Sequence, residues 1–416
     1  MTHIEQMIKD MCPHGVEFKK LGDICDIRGR IGFRGYTRED QVSKGEGAIS
    51  LSPANIKGSK IFYDDCTYIT WDKYEESPEI MVENGDVIFC KTASVGKTAY
   101  IDYLPEKATI NPQLVLLKNI KCDSKFLSYY LQTPNIQDSV KQVLGVGSVP
   151  NVSQAKLSEL SIPVPPIEIQ QRIVAILDAF SALAAELQAE LQAELQMRRK
   201  QYEYYRTQLL TPHSESNSAD KSDDCNWEWK NLVDIAVVQY GYPFEAEKFT
   251  DDDSYIPLIR IRDVVPAQAS TYYEGEYPKE YIVKKGDILV GMDGNFNLEK
   301  WNDRDGLLNQ RVCKIYSKDN NIVLNDFLYH YLRPEFKSIE NEIKGGTVKH
   351  LSAARIKKIV VPVPSIKEQK RIAEALNLFT KIIQDMEEGI PAEQIRQQKR
   401  YEYYRDLLLT FDRKAV

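Results

Sequence analysis

Apolar residues recur at spacings of three and four along a stretch that begins at Ile167, and neither glycine nor proline interrupts it before Pro212. The apolar positions include Ile173, Ile176, Leu177, Phe180, Leu183, Leu187, Leu191 and Leu195. This spacing predicts an amphipathic helix of roughly 44 residues, about 66 Å long at ~1.5 Å per residue. Pro165 and Pro166 suit its N-terminal edge, where a missing amide hydrogen costs nothing, and Pro212 ends it.

A second stretch, from Ser365 to about Leu409, shows the same apolar spacing. It contains Gly389-Ile390-Pro391, which should kink or break a helix, so the pattern predicts two helical pieces there. A lone helix of this length cannot bury its apolar stripe. The simplest solution is that the two matched helices pack on each other, antiparallel, as a coiled coil. The alternative, in which each helix folds back on its own domain, stays open.

Outside these helices, short apolar runs are mixed with shorter helical patterns. The runs at 86–90, 114–117 and 287–290 are typical of buried strands, and the patterns at 124–131 and 324–332 are typical of helices. This mixture predicts α+β globular domains, with a topology that the pattern does not specify.

The two halves of the chain repeat each other. Ile162-Pro163-Val164-Pro165-Pro166-Ile167 returns as Val361-Pro362-Val363-Pro364-Ser365-Ile366, so that Pro163 and Pro362 are 199 residues apart. Tyr202-Glu203-Tyr204-Tyr205-Arg206 returns at the same offset as Tyr401-Glu402-Tyr403-Tyr404-Arg405. Looser matches continue upstream, whereas residues 28–80 and 236–280 differ in sequence and length. The repeat indicates one shared scaffold that carries two different working surfaces.

The repeat, together with a Ser- and Asp-rich stretch that is typical of an exposed linker, divides the chain into five segments. They are a first globular domain at 1–165, a first long helix at 166–211, a linker at 212–225, a second globular domain at 226–364 and a second long helix at 365–416. Duplication for stability alone is the competing explanation, but two copies are too few for a solenoid.

A four-residue motif recurs inside the first long helix. Ala185-Glu186-Leu187-Gln188 is followed by two more copies, at 189–192 and 193–196. Each copy adds about 6 Å of helix and turns the apolar stripe by about 40°, because four residues slightly exceed one turn. The number of copies therefore sets a length.

Composition narrows the class of protein. The chain has 416 residues, of which 43% are hydrophobic, enough for a core in each of two or three domains. Its seven cysteines are scattered and never spaced Cys-x-x-Cys, which argues against a disulfide framework or a zinc knuckle and favours a reducing cytosol. No run of 18 apolar residues and no leader-like start are present, so we expect a soluble, cytoplasmic protein.

Several catalytic motifs fail on inspection. Ala93-Ser94-Val95-Gly96-Lys97-Thr98 ends like a phosphate-binding loop, but Lys91 stands where that motif needs its first glycine. Asn111-Pro112-Gln113-Leu114 departs from the adenine-methyltransferase tetrapeptide at its third and fourth positions. The five histidines are isolated and offer no His-x-x-x-His metal pair. We therefore predict no catalytic site and no metal site.

Basic and aromatic residues in loop-like stretches are the candidates for contact with DNA. Because the net charge is −7, any such surface must be local or shared with a partner. Arginine can bind guanine or phosphate, and glycine lets the backbone approach. The candidates in the first copy are Arg28, Arg30, Arg34 and Arg38, interleaved with glycine and aromatic residues, and more weakly Lys91 and Lys97. A solvated basic loop is the alternative.

The second copy offers a different set. Tyr240 and Tyr242 lie in the comparable place, and Arg260 and Arg262 would share one face of a strand. Lys344 and Lys349 are weaker candidates, for which a plain surface role is favoured. Contacts of the long helices with each other or with a partner subunit are predicted for Leu187, Leu191, Leu195, Tyr202, Tyr204, Tyr205, Tyr401, Tyr403 and Tyr404. Base stacking by these tyrosines is the less favoured reading.

The repeated Pro-Val-Pro…Gln…Arg-Ile entry, the Tyr-Glu-Tyr-Tyr-Arg exit, the Ala-Glu-Leu-Gln copies and the opening Cys12-Pro13-His14-Gly15-Val16-Glu17-Phe18-Lys19 together resemble one family. The chain is similar to the specificity (S) subunit of Type I restriction-modification systems, over nearly its whole length. The resemblance implies two target recognition domains, each reading one half of a bipartite site in double-stranded DNA, and two long helices that set the gap between the half-sites.

The resemblance also implies a non-catalytic role. Two adenine methyltransferase (modification) subunits would flip and methylate an adenine in each half-site. Restriction/translocase subunits would join them for cleavage, and S-adenosylmethionine, ATP and magnesium would bind to the partners. A coiled-coil adaptor with two protein-binding domains is the main rival, and an enzyme of unrecognised type is a second.

Overall fold

The computed structural model describes residues 3–30, 32, 35–145, 149–212, 227–343 and 349–414. The predicted linker therefore lies almost entirely outside the described residues, as do Arg34 and Lys344. The chain divides into two compact units, one of residues 1–189 with 391–416 and the other of residues 190–390. Both contain helices and strands, which confirms the predicted α+β class.

The described residues of the first globular domain form six short α-helices and twelve strands. Its helices are α1 (His3–Met11), α2 (Leu21–Ile24), α3 (Trp71–Glu75), α4 (Ser124–Tyr130), α5 (Pro134–Gln142) and α6 (Gln154–Ser158). Its strands are β1 (Phe18–Lys20), β2 (Asp26–Arg28), β3 (Gln41–Val42), β4 (Gly47–Leu51), β5 (Ile56–Lys57), β6 (Lys60–Ile61), β7 (Thr67–Thr70), β8 (Val87–Cys90), β9 (Thr98–Tyr100), β10 (Ala108–Ile110), β11 (Leu114–Lys118) and β12 (Ser161–Pro163).

Two four-stranded sheets form the frame of this domain. One has the order β10-β4-β7-β3, and the other has the order β2-β11-β8-β9 with every neighbouring pair antiparallel. Strands β8 and β11 are buried along almost their whole length because their side chains face a separate core on each side. The strands predicted at 86–90 and 114–117 are confirmed.

The first long helix, α7 (Ile167–Leu210), follows, and the second globular domain comes after it. Its helices are α8 (Leu232–Ile235), α9 (Ile261–Val264), α10 (Asn325–Glu342) and α11 (Ala353–Ile356). Its strands are β13 (Glu228–Asn231), β14 (Ala236–Tyr240), β15 (Phe249–Thr250), β16 (Ile256–Ile259), β17 (Tyr272–Tyr273), β18 (Ile282–Val283), β19 (Ile288–Gly291), β20 (Leu298–Lys300), β21 (Gly306–Leu308), β22 (Val312–Ser317) and β23 (Val360–Val363).

The sheets of the second domain correspond to those of the first. An antiparallel sheet of order β14-β22-β19-β20 matches β2-β11-β8-β9, and a second sheet has the order β15-β17-β16-β21-β18. In both domains an N-terminal strand pairs with the strand that leads into a long helix, β1 with β12 and β13 with β23. The repeat seen in the sequence is therefore a repeat of topology.

The second long helix, α12 (Ile366–Leu408), is continuous. The prediction that Gly389-Ile390-Pro391 divides it into two pieces is wrong. Proline removes one backbone hydrogen bond and crowds the preceding turn, but a single lost bond does not end a helix whose other turns are held by packing. Ile390, directly before Pro391, is buried, and α10 likewise continues through Pro334.

Within each unit the two long helices run antiparallel. In the unit of residues 190–390, Tyr205 stacks on Phe379 at 5.4 Å between ring centroids, and Arg199 binds Glu387 at 2.5 Å. Residue numbers therefore rise along one helix in the direction in which they fall along the other, so the helices are antiparallel. In the other unit Phe180 stacks on Tyr404 at 5.3 Å. This pair is the Phe379–Tyr205 pair repeated, since both residues are related by the 199-residue offset, and it confirms the predicted antiparallel packing.

Each long helix is also fixed to a globular core, so the alternative in which the helices fold back on the domains is partly true as well. Ile169, Ile173 and Leu177 of α7 and Leu409 after α12 belong to the core of the first domain. Tyr202 and Leu210 of α7 and Ile372 and Leu376 of α12 belong to the core of the second.

A buried glutamine is the fourth residue of both long helices. The Gln170 side chain accepts from the Asp123 amide at 2.8 Å and donates to the Pro165 carbonyl at 2.6 Å. Gln369 makes the same pair of bonds, accepting from the Leu324 amide and donating to the Pro364 carbonyl. Because Asp123 and Leu324 precede α4 and α10, each glutamine joins the start of a long helix to the start of a domain helix.

Candidate nucleic-acid interface

Polar loops lie at one end of the antiparallel sheet β2-β11-β8-β9 of the first domain, and at the same end of the equivalent sheet β14-β22-β19-β20 of the second. Strands β2 and β8 end there, and β11 and β9 begin there, because neighbouring strands run in opposite directions. We call this place the sheet end. It consists of 28–30, 91–97, 111–113 and 149–152 in the first domain, and of 240–242, 292–297, 309–311 and 349–351 in the second.

The two sheet ends share key backbone pairings. Thr92 pairs with Asn151 as an isolated bridge, and Asp293 pairs with His350 in the same way. The Lys91 amide donates to the Gln113 carbonyl at 2.9 Å, and the Met292 amide donates to the Arg311 carbonyl at 2.8 Å. Thr92, Gln113 and Asn151 are thus equivalent to Asp293, Arg311 and His350. One framework presents two different sets of polar side chains.

Two of the arginine candidates of the first copy differ in exposure. Arg28 ends β2, is exposed, and binds Asp26 at 3.2 Å. Arg30 is only 5% exposed, because its guanidinium donates to the Ile110 carbonyl and to Thr109 Oγ1 and lies over the Tyr36 ring. The prediction of Arg30 as an exposed, DNA-facing residue is therefore wrong. Burial of this hydrogen-bonded arginine gives it a structural role.

The other basic candidates of the first copy lie on two different surfaces. Lys91 and Lys97 both lie in the sheet end, with Lys97 exposed and Lys91 half-buried. Arg38 is exposed in a short 3-10 turn next to β3, in the other sheet. Lys91 and Lys97 stay candidates for DNA contact together with Arg28, whereas Arg38 belongs to a separate surface.

In the second copy Tyr240 and Tyr242 both lie in the sheet end and are partly exposed. The Tyr242 ring packs edge-on against Phe244 at 5.1 Å between centroids. Lys349 donates to the Glu340 carbonyl at 2.8 Å, so part of its hydrogen-bonding capacity is used inside the domain. The sheet end therefore collects candidates from sequence segments that lie far apart.

Arg260 and Arg262 do not alternate along a strand, so that prediction is wrong. Strand β16 ends at Ile259, Arg260 precedes α9, and Arg262 lies within it. Asp263 is the cause, because its buried carboxylate accepts from the Arg260 amide at 2.9 Å and closes a helical turn. Arg262 donates to Ser270 and Thr271, and both arginines lie at the second sheet of the domain.

Sequence reasoning missed five residues of the sheet end, namely Gln113, Asn151, Asp293, Arg311 and His350. The signal was present, since Asn111-Pro112-Gln113 aligns with Asn309-Gln310-Arg311 just before equivalent strands. Gln113 was considered only as part of a failed methyltransferase motif. The Ala93–Thr98 segment joins the antiparallel strands β8 and β9, whereas a phosphate-binding loop leads into a helix.

Some of the predicted helix-contact residues are buried, and others are exposed. Tyr202 and Leu195 are buried, Leu187 and Leu191 are half-buried, and Tyr401 and Tyr404 are half-buried. Tyr204 and Tyr403 are 61% and 64% exposed. Each packs edge-on against the next tyrosine, Tyr205 or Tyr404, at 5.3 Å between centroids. These rings, with Phe379 and Phe180, form two equivalent three-ring clusters that we call the aromatic ladders.

In the part of the chain that the structure describes, no group of three or more His, Cys, Asp or Glu residues is arranged to hold a metal ion. Among the same residues, no helix has both the length and the apolar character needed to cross a bilayer.

Comparison with known proteins identifies the repeated framework. The family model "Type I restriction modification DNA specificity domain" matches residues 13–197 and again residues 225–394. The chain belongs to this family. A protein of Haemophilus influenzae that carries the name of a type I restriction enzyme specificity subunit is 34% identical over 301 residues, which cover 70% of this chain and 73% of that one.

Two solved structures share the fold. One comes from a structural study of complex assembly and conformational transition in the type I R-M system, with a TM-score of 0.65, 15% sequence identity, and coverage of 95% of this chain and 97% of that chain. The HsdS subunit from Thermoanaerobacter tengcongensis has a TM-score of 0.57 and 15% identity, with 96% of this chain and 97% of that chain covered. The two matched specificity domains confirm the internal repeat, and the protein is a type I restriction specificity subunit.

Proposed function

We propose that each globular domain binds one half of a bipartite site in double-stranded DNA, and that the sheet end is the part of each domain that reads it. The observation that carries this proposal is the backbone pairing shared by the two sheet ends, which present Thr92, Gln113 and Asn151 in one domain and Asp293, Arg311 and His350 in the other. A shared framework with different polar side chains is what reading two different half-sites requires.

The partners follow from the second repeated surface. The aromatic ladders place Tyr204 and Tyr403 on the exterior of equivalent helix positions, with matching ring geometry. Two equivalent surfaces suit two copies of one partner, because each surface makes the same contacts. Exposed aromatic side chains are enriched in protein interfaces. We assign the ladders to the docking of two adenine methyltransferase subunits.

The chemistry is assigned to those partners. The methyltransferase subunits would bind S-adenosylmethionine, and restriction/translocase subunits would bind ATP and magnesium, while this chain supplies recognition and spacing without catalysis. The acidic net charge of −7 agrees with this division, because the methyltransferases would supply much of the phosphate contact. The assembly would act in the cytoplasm. The adaptor alternative is not favoured, since both halves match a DNA specificity domain.

Methylation mapping tests the proposal. The chain is co-expressed with an adenine methyltransferase partner, and the modified adenines of the host genome are sequenced. We expect one bipartite motif with a fixed gap, absent when either protein is omitted. In vitro, a labelled duplex carrying the motif should bind the complex with an affinity that falls steeply as salt rises. Methylation without a bipartite motif would contradict the proposal.

A further inference from the structure

Arg311 has an unusual backbone and an exposed side chain. Its φ is 71°, in the left-handed region that bulky residues rarely adopt, and its side chain is 62% exposed. Such a conformation persists only where the surroundings hold it, and it is concentrated at functional sites. Here the backbone is held by the bond from the Met292 amide to the Arg311 carbonyl at 2.8 Å. The backbone of Arg311 is therefore held in place within the sheet end, and its side chain extends toward solvent.

Asp293 fixes the direction of the Arg311 guanidinium. One carboxylate oxygen of Asp293 accepts from Arg311 Nη1, and the other lies 2.6 Å from His350 Nδ1. The Asp293 side chain is only 10% exposed, so the carboxylate lies beneath the two groups that it binds. Burial opposes its ionisation, but the hydrogen bonds from His350 and Arg311 outweigh burial and hold the pKa of Asp293 below its usual value.

This arrangement leaves an outward edge of the guanidinium for a ligand. A guanidinium has five N–H donors in a rigid planar fork, and Asp293 engages one side of it through Nη1. An arginine that is already oriented loses less conformational entropy when it binds than a freely rotating one. The ligand that matches a planar fork of donors, in a protein that binds DNA, is the pair of acceptors on guanine or a phosphate.

The equivalent residue of the first domain favours a base over a phosphate. Gln113 occupies the position of Arg311, and its side-chain oxygen accepts from Asn111 Nδ2 at 3.1 Å. Arginine commonly binds guanine, and glutamine commonly binds adenine, by paired hydrogen bonds in the major groove. A phosphate-binding position would favour a positive charge in both copies, and Gln113 has none. The exchange of one purine-binding residue for another fits a position that reads sequence.

We propose that Arg311 determines specificity by reading a guanine in the half-site bound by the second domain, and that Asp293 is a positioning residue that orients it. This inference rests on the proposed function and assigns the base contact to one residue. Lysine at position 311 would keep the charge but not the planar fork, so the two kinds of contact are separable by substitution.

The test uses the full chain in complex with its methyltransferase partner, and duplexes randomised at each half-site in turn. Arg311→Gln and Arg311→Lys should each reduce discrimination at a single base position of one half-site by roughly 10-fold to 100-fold, the range expected for one bidentate contact. The other half-site and the gap should not change. Asp293→Asn should reduce discrimination at the same position while affinity for unrelated DNA stays the same. Arg396→Gln, an exposed arginine on α12, is the matched control and should leave the motif unaltered.

The outcomes are distinct. If Arg311→Gln weakens binding to all duplexes equally and Arg311→Lys restores it, Arg311 binds phosphate and the proposal is overturned. An unaltered motif in both variants also overturns it. If the wild-type complex itself shows no bipartite preference, the proposed function fails, whereas loss of this proposal alone leaves the wild-type motif intact. Binding of Arg311→Lys to unrelated DNA at the wild-type level shows that the variant has folded.

Discussion

At the scale of single residues, one turn of the sheet end is strained in the first copy and relaxed in the second. Ala93 has φ 63°, and its equivalent Gly294 has φ 74°. The left-handed conformation costs an L-residue with a Cβ about 1–2 kcal/mol, whereas glycine adopts it freely. The two copies thus share a backbone that only one of them builds with the residue best suited to it.

We expect Ala93→Gly to stabilise the protein by about 0.5–1 kcal/mol, because relief of strain exceeds the greater entropy of glycine in the unfolded chain. Gly294→Ala should destabilise it by a similar amount or more. Urea unfolding, followed by the midpoint of the transition, measures both. Equal effects of the same sign in the two variants would show that the turns are not equivalent.

His330 is a residue whose protonation is coupled to folding. It is fully buried, and its Nε2–H donates to Asn377 Oδ1 at 2.9 Å, so that Nδ1 accepts from the Tyr202 hydroxyl at 3.1 Å. Burial lowers the pKa of His330 to about 4, whereas an ordinary histidine has a pKa of 6.5. A second ring proton, on Nδ1, would force the Tyr202 hydroxyl to accept instead of donate and would place a charge in a buried site.

The expected consequence is a loss of stability in acid. Between pH 6.5 and about 4 the unfolded chain binds a proton at His330 and the folded chain does not, so the free energy of unfolding falls as the pH falls through this window. At pH 5 the loss is about 2 kcal/mol, from about 1.4 kcal/mol for each pH unit. Urea unfolding at pH 7 and pH 5 measures it. His330→Gln should be less stable at pH 7 but should lose less on acidification, and identical losses in both proteins would contradict the assignment.

At the scale of elements, the long helices are held by packing more than by their own sequence. α12 passes through Gly389 and Pro391 without a break. Near its start each long helix has a buried glutamine, Gln170 or Gln369, that is bonded to the start of a domain helix. Both helices join their partner through a repeated phenylalanine–tyrosine stack. The glutamines and the stacked rings recur 199 residues apart, as do the entry and exit motifs.

The aromatic ladders predict how many partners bind. Tyr204→Ala and Tyr403→Ala should each weaken the docking of one methyltransferase subunit, and the double variant should weaken both, because truncation of an exposed interface tyrosine removes contact area without disturbing a core. Native mass spectrometry of the purified complexes counts the bound subunits. Tyr103→Ala, an equally exposed tyrosine of the first domain, is the control. Two bound subunits in the double variant at limiting concentration would exclude the ladders as docking sites.

At the scale of the whole molecule, the internal repeat distributes each long helix between two compact units. The division falls at residues 189 and 190 in α7 and at residues 390 and 391 in α12. In α7 it lies within the Ala-Glu-Leu-Gln copies, so the tetrapeptides join the two units of the chain. Their number sets the length of helix that joins the two units, and under the proposed function it would set the distance between the two half-sites.

Deletion of residues 189–192 tests this. The loss of one tetrapeptide shortens the helix by about 6 Å, close to two base pairs of DNA at about 3.4 Å each. Genome methylation by the variant complex should show a shorter gap with both half-sites unaltered. Substitution of Glu190, Leu191 and Gln192 by alanine keeps the length and should keep the gap. Altered half-site bases would show that the helix is not a spacer.

The sequence by itself determined the class of fold, the long helices, their antiparallel packing and the repeated framework. These features depend on local periodicity and on matches at a constant offset, and both can be seen directly in the amino-acid sequence. The strands at Val87–Cys90 and Ile288–Gly291 were equally readable, because both are short apolar runs between turns.

Tertiary structure alone decided which polar residues meet at a surface. It buried Arg30 against Thr109, turned Arg260 and Arg262 into a helical segment through Asp263, and kept α12 whole across Pro391. It also brought Asp293, Arg311 and His350 together from three separate segments. The environment of a side chain depends on contacts between residues that lie far apart in the chain, and local patterns in a single sequence do not show which distant residues meet.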